Sequence, residues 1–598
     1  MSAAPSTGDS EQALQQASAR AGSYLASLQS DEGLWPNLLT GGPYLDVLYA
    51  LGAWFLGRKD HPLQPPHGEA WARRILSSQN ADGGFPLWRG GLSDPRYGIE
   101  TYLALRLAGL SASEPGMRAL ARNIAEAGGL ERAGEITWTR LFWAGAANGR
   151  RHEAGAPEHY FFIEYGNWPA ITRQELVCLA SLSIAAYLRG AQEPPSAAAA
   201  PQLEEELPPA QKPQASFELR SVTARLIGQW ARMAPRLLRD PIVFRTYDAM
   251  VAEALRWPVL PVALHAALAV RAAGGRGSEA LEQFERVVSM LGPENPAGPA
   301  RPCDCGIRAA ALAALALAGL DADDSLKTAV KALGERFRTV ARANGNGGLR
   351  AGWAPGDLHS EPDAETTALV LLALFRTGAA AAHESAVHAA LESLAAAQGK
   401  DGGWSDGLNG ASAPDVTGAV VEALVASGQS PSSERIRRAA QFLEQSQHAE
   451  AWWQGSRGIC RLYGTAMALR GLRAAGVDER EASVLRAGEW LRSIQNADGG
   501  WGEDPASHGS GEFRPAASAP AHTAWALLGL IAGGDDSSES VRRGFAWLAQ
   551  RQSADGSWDP AAPSMPGVAY APYVTDPLGS VVWPLLAIRE RLGSAASS

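Results

Sequence analysis

The amino-acid sequence predicts an all-α protein built as two α/α barrels, and three observations point there. A helical phrase that ends in Gln, a glycine-rich turn and Trp recurs along the chain. A second phrase, a polar entry followed by a small-residue apolar helix, alternates with it. Hydrophobic residues fill 46% of the 598 positions, yet no apolar run approaches a bilayer's width. The longest, Ala309 to Leu320, is bounded by Arg308 and Asp321 and falls short of the ~20 residues a membrane helix needs.

The first phrase reads YLASLQSDEGLW at 24–35, LAAAQGKDGGW at 394–404, WLRSIQNADGGW at 490–501 and WLAQRQSADGSW at 547–558. A copy ending in Phe covers 75–85, and a degraded copy, FLEQSQHAEAWW, covers 442–453. The second phrase carries a marker threonine at Thr367, Thr417, Thr465 and Thr523. Both phrases recur every 48 to 58 residues through the second half of the chain. Each unit is therefore a helical hairpin, with the small-residue helix suited to the inside of a ring and the longer amphipathic helix to its outside. Such hairpins stack as an open solenoid or close into a toroid; the irregular units favour closure. In the turn, Gly supplies positive φ, Trp packs back, and Gln reaches the neighbouring helix.

The elements follow in order. Residues 1–34 form an N-terminal segment. Residues 35–275 form the first barrel, interrupted at 192–213 by QEPPSAAAAPQLEEELPPAQKP, whose Pro, Ala and Glu predict a disordered insert. A helix over 227–238, with Trp, Met and Leu beside Arg225, Arg232 and Arg236, suits an anionic lipid surface as well as an ordinary amphipathic face. Residues 276–598 form the second barrel. The net charge of −10 offers no basic surface for phosphates, so no nucleic-acid partner is expected. Cys178, Cys303, Cys305 and Cys460 form no CxxC pair and read as reduced thiols of a cytoplasmic protein, neither stapled nor zinc-bound. The N-terminus shows no basic region followed by an apolar run, so no signal peptide is expected.

Repeat phase also locates a candidate site. Asp304 precedes Gly306 by two residues, Glu365 precedes Thr367 by two, and Asp415 precedes Thr417 by two. A toroid gathers these carboxylates at one end of its inner helices. Crowded carboxyls in a low dielectric cannot all ionise, so one is held neutral, as a Brønsted acid site requires. Helix capping explains the same residues in part, Asp363 better than Glu365.

These phrases, with IETYLALRLAGLS (99–111), EYGNW (164–168) and RLYGTAMALRGLRAAGV (461–477), resemble the squalene–hopene cyclases, class II terpene cyclases with QW repeats, along nearly the whole chain. The resemblance implies two α/α barrels with the segment 1–34 packing on the second, monotopic attachment to the inner membrane face, and cyclisation of a linear isoprenoid started by protonation. It implies no cofactor, with Mg²⁺ needed only if the substrate is a diphosphate. The family's acid is the central Asp of a DxDD motif. The matching stretch is Asp363-Ala364-Glu365-Thr366, which puts Glu365 in the acid's place, Asp363 and Asp415 beside it, and Tyr463 in the path that returns the proton. The resemblance places substrate contacts at Trp168, Tyr463 and Tyr573, with Tyr570 and Trp353 close to others, and we group Asp304 with them.

Two departures follow from the same alignment. The family's His partner of the acid falls at Ala419, with His359 and His522 as substitutes nearby in phase. Family aromatics fall at Cys303, Ala354, Arg457, Met565 and Ala569. Arg457 and Arg461 could hold a diphosphate or ionise Glu365. Three functions remain open: a polyprene cyclase with Glu365 as acid, a cyclase of a C15 or C20 prenyl diphosphate with Mg²⁺, and a silent barrel that binds an isoprenoid. A homodimer also remains open.

Overall fold

In the computed structural model the chain is described apart from residues 1–6, 37, 133–136, 138–139, 142–143, 145, 147–156, 161–169, 190–202, 208–234, 275–276, 341–347, 360, 406–410, 561 and 598. It divides into two compact units. One comprises residues 1–38, 304–566 and 575–598; the other comprises 39–303 and 567–574. Helix α1 (Thr7–Ser27) belongs to the first, and α2 (Pro43–Phe55), α3 (Gly98–Leu107), α4 (Ala170–Arg189) and α5 (Leu260–Ala272) to the second. In that second unit α3 packs on α2, α2 on α5 and α5 on α4.

The unit that begins and ends the chain is a closed ring. Its inner helices are α6 (Gly306–Leu317), α7 (Ala364–Arg376), α8 (Pro414–Ala426), α9 (Arg461–Ala474), α10 (Pro520–Ala532) and α11 (Gly579–Ser597). Each packs on the next, and α11 packs back on α6. Helix α1 packs on α11 and on the outer helix Glu539–Arg551. The inner helices are buried nearly all round, as residues 364 to 374 of α7 show. The outer ones bury a stripe, such as Ile436, Ala439 and Leu443 of Glu434–Gln445. Small residues let the inner helices approach: a Cβ on Gly418 of α8 would lie 2.1 Å from the Met467 carbonyl of α9.

The two repeated phrases are tied to each other. In the turn Trp404, Trp453 and Trp501 each donate the indole N–H to the leucine carbonyl ten residues back, at 2.6–2.7 Å. Their backbone N–H groups donate to the hydroxyls of Thr417, Thr465 and Thr523, each at 3.0 Å. The glutamine amides donate twice: Gln398 to Gly402 O and Arg435 O, Gln495 to Gly499 O and Ser540 O. The second acceptor is thus a carbonyl in the first turn of the next outer helix, not one of the free N–H groups at its end.

Two expectations change against this frame. Within 192–213, read as a disordered insert, Leu203–Glu206 form a helical turn. Leu203 and Leu207 are buried, and Glu206 pairs with Arg106 at 2.8 Å; two apolar anchors and an ion pair outweigh the flanking composition. The helix read over 227–238 lies mostly outside the described residues. What is described begins at Pro235 and continues as Arg236–Arg256, where Leu237 is 83% exposed and Leu238 57% exposed. Among the described residues no helix is long and apolar enough to cross a membrane.

The degraded copy yields a prediction. Where the other turns place Gly at positive φ, this one places Ala451, at φ 73°. An L-residue there costs ~1–2 kcal/mol that glycine avoids. Ala451→Gly should raise stability by about 1 kcal/mol, read as a higher urea midpoint with unchanged slope.

Candidate active site

Because outer helices alternate with inner ones, the inner helices run the same way and their N-termini share one end of the ring. Arg308 is the third residue of α6, Glu365 the second of α7, Asp415 the second of α8 and Tyr463 the third of α9. All four are buried. Arg308 donates to Glu365 through both edges of its fork, Nε to Oε2 at 2.9 Å and Nη2 to Oε1 at 3.1 Å. The Tyr463 hydroxyl donates to Oε1 at 2.7 Å, and Arg308 Nη2 lies 3.4 Å from the tyrosine oxygen. Arg457 Nε stands 3.8 Å from Oε2. The tyrosine ring meets Trp525 and Trp583 edge-on at 5.1 and 5.7 Å.

Glu365 is therefore a carboxylate. Burial raises its pKa, but the Arg308 charge and hydrogen bonds, Arg457 and Tyr463 outweigh burial and leave it below the ordinary glutamate value. The neutral acid that the DxDD resemblance asks of this position is not what the arrangement holds. Asp415 goes the other way. Its Oδ2 accepts from the N–H groups of Ser456 and Arg457 at 2.7 and 2.8 Å, and Ser456 Oγ lies 3.0 Å from Oδ1. Burial, and then the negative charge of Glu365, push it up to about 6 despite those bonds.

The other residues read from the sequence separate into distinct places. Asp363 caps α7, accepting from the Thr366 N–H at 2.9 Å and its hydroxyl at 2.8 Å, with Arg457 3.7 Å away. Asp304 accepts from Gly306 N and Leu358 N, each at 3.0 Å. Trp353, read as a substrate contact, is fully buried; its indole donates to Leu333 O at 2.6 Å and its backbone N–H to Thr367 Oγ at 3.0 Å. That is the bonding of the turn tryptophans, and it gives Trp353 a structural role in its turn. Arg461 is also committed. It donates to Ser507 O at 2.7 Å, pairs with Glu503 at 3.6 Å and stacks over Trp452 at 4.3 Å. His359 approaches the Asp304 carbonyl and His522 the Pro563 carbonyl, each at 3.1 Å; burial pushes His522 down to about 4. Trp168 lies outside the described residues.

Tyr570 and Tyr573 belong to the other unit, on the return segment 567–574. Tyr573 meets Trp88 edge-on at 5.0 Å. Tyr570 sits at φ 63° among Tyr44, Tyr97 and His265. Beside it Arg140 pairs with Glu100, which also accepts from Tyr44 and Thr137, each at 2.7 Å.

Sequence reasoning passed over Arg308, Ser456 and Glu503. Glu503 accepts from the N–H groups of Cys460, Arg461 and Leu462 at 3.0–3.2 Å and so caps α9. A lone arginine three residues into an apolar inner helix, in the register of Tyr463, was the available signal for Arg308. Among the described residues no three His, Cys, Asp or Glu side chains stand together as a metal site.

Two family models match the chain, the squalene–hopene cyclase N-terminal domain over residues 18–158 and the C-terminal domain over 405–592. The squalene–hopene cyclase of Alicyclobacillus acidocaldarius is 29% identical, the match covering 90% of this chain and 91% of that one. That of Zymomonas mobilis is 26% identical, over 89% and 88%. Among solved structures, ent-copalyl diphosphate synthase from Streptomyces platensis shares the fold at a TM-score of 0.52 and 18% identity, covering 97% of this chain and 100% of that one.

The buried pair makes a stability prediction. Arg308→Met strands a buried carboxylate and should cost about 3–5 kcal/mol, whereas Arg308→Met with Glu365→Leu should recover most of it. The pH sign follows from Glu365's lowered folded pKa. The pair's contribution is complete above the unfolded value of about 4.3 and is lost as pH falls through the folded value. Urea unfolding of the single and double variants at pH 7 and pH 3.5 measures both.

Proposed function

The chain belongs to the squalene–hopene cyclase family, and from that membership we propose that it cyclises a linear, squalene-like polyprene by protonating a terminal double bond. The observation that carries this reading is the pair of buried carboxyls, Glu365 and Asp415. Their surroundings push them in opposite directions, one below its ordinary value and the other up to about 6. A site that holds one carboxyl as an anion and leaves another able to keep its proton has the division of roles that acid catalysis needs. Tyr463, Trp525 and Trp583 cluster against this site, and electron-rich rings of this kind stabilise a carbocation by ~2 kcal/mol or more each when dry. The chain's own residues would start the reaction, shield the cation and restore the proton; loss of a proton or capture of water would end it.

An uncharged substrate is favoured over a prenyl diphosphate. Arg461 is bound to Ser507 and Glu503, and Arg457 faces Asp363 and Glu365, so the two arginines that reading requires already serve carboxylates. In this proposal the protein works as a monotopic enzyme on the inner membrane face, with Leu237 and Leu238 in the lipid-facing segment.

Two measurements test this. Purified protein is incubated with squalene, with C15 to C35 polyprenols and with their diphosphates, and products are read by mass spectrometry. We expect a cyclic isomer or its hydrate from an uncharged polyprene without added Mg²⁺. Conversion of a diphosphate alone would transfer the reading to the diphosphate cyclase, and no product from any would leave the isoprenoid-binding barrel. On the membrane side, Leu237→Glu with Leu238→Glu should reduce flotation with anionic liposomes several-fold; unchanged flotation would remove this segment as the anchor.

A further inference from the structure

The donors around Glu365 are ones that hold it as a carboxylate. Its Oε2 accepts from Arg308 Nε, and its Oε1 accepts from Arg308 Nη2 and the Tyr463 hydroxyl. A guanidinium has donors only, so it cannot turn and accept. The tyrosine hydroxyl is also oriented, because its oxygen faces Arg308 Nη2 while its hydrogen points at Glu365. Protonating Glu365 would leave a buried arginine facing a neutral group.

Asp415 is built differently. Backbone N–H groups, which cannot reverse, approach its Oδ2. On Oδ1 its partner is the hydroxyl of Ser456, at 3.0 Å. A hydroxyl rotates freely between donating and accepting, so Oδ1 can take a proton with no fixed donor displaced.

We propose that Asp415, and not Glu365, holds the transferable proton of this cluster and delivers it to the terminal double bond, with Arg308 as the positioning residue that keeps Glu365 ionised. This rests on the cyclase reading given above. In the step, the Oδ1–H bond breaks and the π pair of the alkene forms the new C–H bond. The positive charge appears on the neighbouring, more substituted carbon, and Asp415 is left as a carboxylate. Successive double bonds close rings onto that cation until a proton is lost to water, or water adds and then loses one. Asp415 regains a proton from water through Ser456 Oγ, so the reaction is an isomerisation or a hydration with no other reactant.

The titratable and charged groups that act on Asp415 or sense it are Glu365, Tyr463 and Cys460, with Arg457 bonding it through the main chain. A carboxyl pushed up to about 6 is protonated in roughly one molecule in ten at pH 7, far more often than Glu365. Turnover limited by this donor falls as pH rises through about 6.

The test uses the full-length protein and two readouts. Infrared titration between pH 4 and pH 8, without substrate, should show a protonated-carboxyl band that titrates near 6. It should vanish in Asp415→Asn and move to lower pH in Glu365→Gln, where the neighbouring anion is gone. In turnover of the polyprene, Asp415→Asn should fall by at least ~100-fold, and Glu365→Gln should fall at least ~10-fold less, with its pH limb shifted down. Arg308→Met with Glu365→Gln keeps the pair neutral should Glu365→Gln fail to fold. A band or turnover that survives in Asp415→Asn and disappears in Glu365→Gln overturns the donor assignment alone. A wild type that converts no polyprene takes down the cyclase reading and the donor role together.

Discussion

Six helices that close into a ring with their axes running the same way bring all their free N–H groups to one end. Each terminus leaves several donors without an intrahelical partner, and the aligned dipoles add positive character there. Carboxylates answer that demand: Asp363 on the first turn of α7, Glu503 on that of α9, Asp304 on that of α6. Much of the acidic character of this end is therefore a consequence of ring closure. Glu365 and Asp415 are exceptions: the bonds seen on Glu365 come from side chains, an arginine and a tyrosine, and those on Asp415 from the loop at Ser456 and Arg457. A carboxylate that caps nothing is surplus to the fold and stands out for that reason.

The same reasoning shows why Arg308 matters. Taking a guanidinium and a carboxylate out of water costs several kcal/mol per ion, and only good geometry with further hydrogen bonds recovers it. Here the fork is bidentate and Tyr463 supplies a further donor. The second unit solves a like problem with Arg140 and Glu100, where Tyr44 and Thr137 complete the carboxylate.

The hairpin architecture was legible in the sequence because its marks are local and repeated. Gln, Gly and Trp sit within one turn, and the marker threonine proves to be the acceptor for the tryptophan's backbone. The candidate site was legible only in part. Glu365, Asp415 and Tyr463 share one cluster, but the protonation state of Glu365 depends on Arg308, 57 positions away. In sequence Arg308 reads as the flank of an apolar run. Trp353 was misread for the opposite reason: its turn lacks the Gln and keeps only one of the two glycines, so its structural role is invisible until Thr367 is seen beneath it. Asp304 shares a repeat phase with Glu365 in sequence, yet its bonds serve the start of α6 and the loop at Leu358.

The order of the chain through the ring has a consequence for synthesis. Helix α1 packs on α11 and on Glu539–Arg551, both made long after it. The ring stays open at the junction of α6 and α11 until the final helix arrives. While the ribosome builds more than five hundred residues, the apolar face of α1 and one edge of the growing ring have no permanent partner. Contacts between the two ends of a chain form late, and the surface they will cover is exposed meanwhile. A protein assembled this way depends on what covers that surface during translation, and a loss of the last twenty residues would leave the ring a horseshoe.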